Sequence, residues 1–509
     1  MRYWLCLGIL ALAACACRQK ADLVLQNASI RTGNPQQPRA EGLAVLDGKI
    51  VAVGHADEIE RWVSQRTRRL DASGRLVLPG FIDAHTHFVS AGRNLLSIDL
   101  RNCVNEQEFR DKLKTYVATL PAGRWIIGGN WDHERSFGGV LPTRQMIDGI
   151  TPNNPVAISR TDGHMLLANS LALKLAKINI DTRAPSGGVL VKDRRTGEPT
   201  GILKDAAMDL IGAVIPDPSS EELDEALDAA MKNATERGVT SIHDMLAWQD
   251  WGAYERALKN DKLPVRVRAY FAISTWQQVD SLRDSTMSND WLRVGGLKGF
   301  VDGSLGSSTA LMCAPFSDDS TNSGTFVSDW FPDGVMKQRV KSADSLGLQI
   351  AVHAIGDSAN KVMLSIYQKV AQENGAKDRR FRVEHAQHLR PQDVSRFAQL
   401  GVIPSMQAYH CIDDGRWAEN RLGPERSKTT YAFRSLLDAG ATLAFGSDWG
   451  VAPLDPLLGI YAAVTRSTLD GAHPDGWVPE QKITVEEAVR CYTVNNAYAE
   501  FSEKEKGSF

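Results

Sequence analysis

Two histidines one residue apart, His85 and His87, end a strand-like apolar run, LPGFIDAHTH. Side chains alternate faces along a strand, so positions i and i+2 point the same way and both imidazoles can grip one ion. Four later runs each carry one chemically able residue at or near the end: Lys298 in VGGLKGFVDG, His353 in LQIAVHAIG, His385 in FRVEHAQ and Asp448 in TLAFGSDW. Brought to one rim, four imidazoles, a lysine and a carboxylate form a mostly nitrogen and oxygen donor set that suits zinc or a similar divalent metal. A lone strand histidine is more often a satisfied core residue, so the weight lies in the ordered combination of HxH, two later histidines and a GSD.

These residues need a scaffold that brings distant strand ends together. Eight apolar runs are candidate barrel strands: 78–87, 239–245, 265–274, 294–303, 348–356, 381–387, 402–407 and 442–449. Helical patterns fall between several of them, notably 221–236, 334–345 and 391–399. Alternating strands and helices predict an α/β fold, a (β/α)8 TIM-like barrel, whose catalytic groups collect at the C-terminal ends of the strands. Between the first two runs lie about 150 residues, too many for a loop. They read as an inserted subdomain, about 99–215, over the barrel mouth. Before residue 79 the pattern is different: short strands over 22–78, with Asp47-Gly48 in the turn of a hairpin, predict part of a small β-sandwich. The barrel is expected over 79–490.

Composition narrows the function classes. Lysine and arginine total 58 against 61 acidic residues in 509, a formal charge of -3, which offers no field for nucleic acid. The expected partner is a small-molecule substrate, and a homodimer is allowed but not required. Seven cysteines are too scattered for a disulfide framework; Cys103, Cys313, Cys411 and Cys491 show no CxxC spacing and read as buried small apolar residues. The N-terminus has a secretory layout: Arg2, an apolar run from Tyr3 to Ala14, and then Leu12-Ala13-Ala14-Cys15. Small residues before a cysteine resemble the bacterial lipoprotein cleavage box. That predicts a signal peptide over 1–14, lipid on Cys15 and a tether over 15–21. The residue after it is Ala16 rather than aspartate, which favours the outer membrane, facing the periplasm. The alternative is an ordinary signal peptide with incidental cysteines. No other segment reaches the ~18 apolar residues of a spanning helix, so membrane attachment is expected through the anchor only.

PGFIDAHTH, VHAIGD, VEHAQ and FGSDW resemble the metal-binding segments of the amidohydrolase superfamily. LKGFVDGSLGSSTALM, GNWDHE with LPTRQMID, and DPLLGIYAAVTR resemble its YtcJ-like branch (amidohydrolase family 3), which includes N-substituted formamide deformylases. The similarity spans nearly all of 22–509. It implies that His85 and His87 ligate a more buried ion with Asp448, that His353 and His385 hold a second, and that Lys298 is carboxylated to bridge both. One ion beside a free, salt-bridging Lys298 is the alternative. The activity implied is hydrolysis of carbon–nitrogen bonds in amides, formamides or cyclic amides, with water activated by metal and Asp448 as general base and then acid. Candidate pocket residues in branch-like segments are Trp131, Asp132, His133, Asp162, His164, Asp302 and His410. Trp417 and Trp449 are candidate wall residues, whereas His388 reads as a helix-start or loop histidine.

Two rival readings follow. A single-metal deaminase usually has a glutamate three residues after the fifth-strand histidine, where this chain has Gly356 and then Asp357. A non-catalytic solute-binding lipoprotein would have no use for Asp448 as a proton shuttle. The resemblance also implies further C-terminal strands after CYTVNNAYAEFSEKE. Without them, 491–509 is a truncated segment or the 22–78 sheet keeps an exposed edge.

Overall fold

All eight expected barrel runs form strands in the computed structural model, which describes residues 19–160, 164–185, 188–286 and 289–509. They are β1 (Phe81–Thr86), β2 (Val239–Met245), β3 (Arg266–Ala272), β4 (Leu292–Phe300), β5 (Ile350–Ala354), β6 (Arg382–His385), β7 (Ile403–Met406) and β8 (Ala444–Phe445). The strands lie in chain order in one sheet, and each neighbour pair from β2 to β8 is parallel. The expected leader with Cys15, and Asp162 with Gly163, lie outside the described residues.

The sheet is a nearly closed barrel. Thr86 bridges Trp449 in parallel, Asp448 N donates to His85 O at 2.7 Å, and His87 N donates to Trp449 O at 3.0 Å. One carboxylate oxygen, Asp83 Oδ1, accepts from both His85 N (3.1 Å) and Ser447 N (2.9 Å), tying β1 to the chain after β8. There is no slack at this seam: a Cβ on Gly446 would lie 2.5 Å from His85 N and 2.8 Å from His85 Cβ.

The expected helices form at Ser220–Thr235, Val335–Ser345 and Pro391–Leu400. The first begins with a capping box between Ser219 and Glu222 and buries Leu223, Ala226, Leu227, Ala230, Met231 and Ala234, the stripe that a 3.6-residue period predicts. The insertion is a six-stranded sheet in the order Gly188–Lys192, Pro199–Asp205, Met165–Ala168, Val156–Arg160, Ile126–Trp131, Ile98–Asp99. It has its own core around Phe109, Leu113, Ile126, Trp131, Ile147 and Ile158.

The chain divides into two compact units, one of residues up to Ile82 with Ile483–Phe509 and the other Asp83–Lys482. In the first, the hairpin Gly42–Leu46/Lys49–Gly54 is antiparallel, with Asp47 at φ 50° and Gly48 at φ 73°. These left-handed values are what a two-residue hairpin turn requires and why glycine occupies the second position. The C-terminal segment contributes helices Val485–Cys491 and Val494–Ala499, and Phe509 N donates to Thr32 O at 2.8 Å. Leu70 and Leu76 remain exposed on this unit's strands. Cys103, Cys411 and Cys491 are buried as expected, but Cys313 is exposed, because it lies on the long loop after β4 and not on a barrel strand. No described helix is long and apolar enough to cross a membrane.

Gly446→Ala should lower stability by about 2 to 3 kcal/mol, because the added methyl meets backbone and not a movable side chain. Urea unfolding of the two proteins checks this; matching midpoints would mean that the seam has room.

Candidate metal centre

The tightest group at the barrel mouth is His85, His385 and Asp448, whose ligand atoms all lie within 4.8 Å of one another and which are all buried. They come from β1, the end of β6 and the turn after β8, so residues hundreds of positions apart converge. Two of the three sit on unusual backbone: His385 has φ 73° and Asp448 φ 57°. Non-glycine residues reach this region at a cost, and they do so most often where function holds them.

The other expected ligands surround this triad. His87, just past β1, puts Nε2 3.3 Å from Asp448 Oδ1, while His85 Nε2 is 3.6 Å from the same atom. Lys298 Nζ lies 3.4 Å from His85 Nε2. The His353 ring meets that of His385 edge-on, centroids 4.5 Å apart, and its Nε2 donates to Gly303 O at 3.0 Å. That bond leaves Nδ1 as the His353 atom with a free lone pair.

Protonation favours cation binding. Burial, then the nearby Lys298 charge, pushes His85 down to about 4 and His353 down to about 3, so both are neutral at pH 7. Burial lowers His385 as well. Burial opposes charge on Asp448, but the His87 contact holds its carboxyl well below the usual carboxylate range. Burial brings Lys298 down to about 8. The buried His385 Nδ1 and Asp448 Oδ1 have no aligned hydrogen-bond partner. Orphaned buried polar atoms are costly, and a shared cation accounts for both. The residues therefore fit a divalent metal.

Of the candidate pocket residues, Trp131, Asp132 and His164 belong to the insertion, whereas Asp302, His410 and Trp449 lie beside the centre. Trp131 is fully buried in the insertion core and donates Nε1 to Ile158 O at 2.8 Å. Asp132 caps the helix His133–Phe137, accepting from Glu134 N, and also accepts from Arg160 at 3.2 Å. His164 is an exposed residue paired with Asp205 at 2.9 Å. Asp302 is occupied by three backbone donors, Leu311 N (2.8 Å), Ile355 N (3.0 Å) and Gly356 N (2.8 Å), and so fixes the loop carrying Gly303. His410 lies on the helix Ala408–Asp414 with its Nε2 buried and unpartnered. The Trp417 ring approaches Gly306, and Trp449 packs on Phe88 with centroids 5.3 Å apart. A cavity of about 350 Å3 is lined by Ile98, Asp99, Gly128 and Asn130 of the insertion and by Trp449 and Gly450.

Sequence reasoning passed over Glu384, whose Oε2 lies 2.5 Å from His85 Nδ1, and Arg382, which donates Nε to Glu384 Oε1 at 2.8 Å. Burial would raise the Glu384 carboxyl, but the Arg382 charge and the His85 bond hold it well below the carboxylate range. The signal was available: Arg382 and Glu384 are i and i+2 in the short run RVEH, on the face of β6 that a barrel turns inward.

The Amidohydrolase family model matches residues 68–509. Protein LONG AFTER FAR-RED 3 of Arabidopsis thaliana is 39% identical over 502 residues, covering 96% of this chain and 85% of that protein. Putative amidohydrolase YtcJ of Bacillus subtilis is 33% identical over 479 residues, covering 92% and 88%. N-substituted formamide deformylase of Arthrobacter pascens is 29% identical over 512 residues, covering 96% and 91%. Among solved structures, an uncharacterized metal-dependent hydrolase from Pyrococcus horikoshii superposes with TM-score 0.80 at 29% identity, covering 96% of this chain and 94% of that one.

His388, three residues past His385, is buried in the loop before Pro391–Leu400, its Nδ1 2.9 Å from Thr430 Oγ1. Burial, helped by Arg426, pushes it down to about 3. Unfolded, it titrates near about 6.5, so the unfolded chain takes up the proton first as pH falls. Its stabilising contribution is complete above that value and declines toward the folded one. Between pH 7 and pH 5.5 the advantage of the wild type over His388→Asn should shrink by about 1 kcal/mol in urea titrations. A constant difference would show that His388 is not held neutral.

Proposed function

The chain belongs to the amidohydrolase family, in its YtcJ-like branch, and on that premise we propose that it is a metal-dependent hydrolase of carbon–nitrogen bonds other than peptide bonds. The observation that carries this reading is the buried convergence of His85, His385 and Asp448. Zinc is the metal favoured by the donor chemistry, with His87, His353 and Lys298 near enough to extend the set to a second ion. When bound, such an ion supplies Lewis acidity toward a carbonyl oxygen and toward water.

The protein's own groups do the rest. Asp448 Oδ1 has no aligned donor, so it is available to take a proton from the attacking water and return it to the departing nitrogen. His87 Nε2, 3.3 Å away, keeps that carboxylate ionised between turnovers. Lys298 is buried, and burial brings its ammonium down to about 8, so a fraction is neutral amine at physiological pH. A neutral amine can add to carbon dioxide, with loss of one proton, to give an anionic carbamate. We include that carboxylated form of Lys298 in the proposal, since it turns a repelling cation into an oxygen donor.

The formamide deformylase relative supports an N-formyl or N-acyl amine as substrate. The deaminase alternative finds little here: Gly356 caps the helix Asp357–Glu373, and Asp357 Oδ1 accepts Cys313 N at 2.7 Å.

Metal-loaded protein should hydrolyse members of a panel of N-formyl and N-acyl amines and lose activity to a chelator. Asp448→Asn should fall by ~10² to 10⁴-fold. No turnover of any panel member by the wild type, or equal turnover by both proteins, would reject the hydrolase.

A further inference from the structure

The barrel interior beneath the rim is charged, and the hydrolytic chemistry just described leaves that charge unused. Glu384 and Arg382 are completely buried. Arg382 donates to Glu384 Oε1 at 2.8 Å, to Tyr270 Oη at 3.0 Å, to Ser405 Oγ at 2.9 Å and to Ala84 O at 2.6 Å, and its Nη1 lies 2.7 Å from His243 Nδ1. Ser405 Oγ in turn donates to Glu384 Oε2 at 2.9 Å. Stability alone does not call for a pair this deep, since well-packed apolar residues of the same volume are often as good or better.

The network converges on His85. Arg382 holds the carbonyl of the residue before it, and Glu384 Oε2 stands 2.5 Å from its Nδ1. A carboxylate at that distance requires a proton on Nδ1, which leaves the Nε2 lone pair turned toward Asp448 and Lys298. His87 provides an internal contrast. Its Nδ1 faces the neutral carbonyl of Met245 at 3.2 Å. The two histidines of one HxH pair are thus backed by different chemistry, an anion behind the first and a dipole behind the second.

We infer that Glu384, fixed and kept ionised by Arg382, is a positioning residue that sets the tautomer and the donor strength of His85, making His85 the ligand that decides how tightly the centre holds its metal. This rests on the metal-hydrolase reading. Carboxylates behind metal-bound imidazoles commonly govern affinity by tenfold to hundredfold.

Zinc is the probe, and its dissociation constant is measured by chelator competition on the full chain. Glu384→Gln keeps the shape and removes the charge; it should bind zinc ten to a hundred times more weakly. Removing one member of a buried pair can unfold a protein, so the double variant Arg382→Met with Glu384→Leu, which strands no charge, is measured alongside, with circular dichroism as the check on folding. It should show the same loss. In the metal-free wild type, nitrogen-15 spectra should place the His85 proton on Nδ1 at neutral pH. Zinc binding within twofold of wild type in either folded variant, or a proton on Nε2, overturns the inference and leaves the hydrolase standing. A wild type that retains no zinc or other divalent ion overturns both.

Discussion

His85 and Asp448 belong to opposite ends of the barrel sequence, and they meet only because the first and last strands are clamped together where they emerge. The clamp consists of two backbone hydrogen bonds, Asp448 N on His85 O and His87 N on Trp449 O, and of one Asp83 carboxylate oxygen receiving an N–H from each side. At Gly446 the two segments leave no space for a side chain. Every distance in the candidate centre inherits this seam. A barrel splayed there by one ångström would still contain all its strands and would no longer gather its ligands.

The seam also explains the electrostatics. Strand ends drawn together exclude water, and exclusion keeps His85, His353 and His385 neutral, lowers the Lys298 ammonium and leaves His385 Nδ1 and Asp448 Oδ1 without aligned hydrogen-bond partners. In a dry pocket such atoms are destabilising until something shares them. The left-handed backbone at His385 and Asp448 adds local strain of the same origin. The folded state carries these costs because packing around the mouth over-determines the geometry. Asp302 contributes by holding three amide groups beneath the loop that receives His353.

Much of the scaffold was legible in the sequence because it is written in runs. Apolar segments such as LQIAVHAIG and TLAFGSDW announce parallel strands by composition, and a functional residue at the end of each fixes its place on the rim. The extra sheet between β1 and β2 was legible only as excess length, since its strands are short and pair in mixed directions. Trp131 shows why motif membership alone misleads about position: it sits in a branch-like segment and is spent on the insertion core. Glu384 and Arg382 were missed for a different reason. Charged residues alternating in a strand ordinarily mark a solvent face, and only a closed barrel reverses that meaning. The exposure of Cys313 was equally hidden, because it depends on a loop whose path is set by tertiary contacts.

The six-stranded insertion occupies one continuous stretch between the first two barrel strands, and none of the His85, His385 and Asp448 triad comes from it. Its strands reach the loop after Asp448 across a cavity of about 350 Å3 that they share with Trp449 and Gly450. The coordinating triad and the inserted sheet are therefore separable parts of the chain. A change confined to the inserted stretch can alter the walls of that cavity while the coordinating atoms stay where the barrel strands hold them.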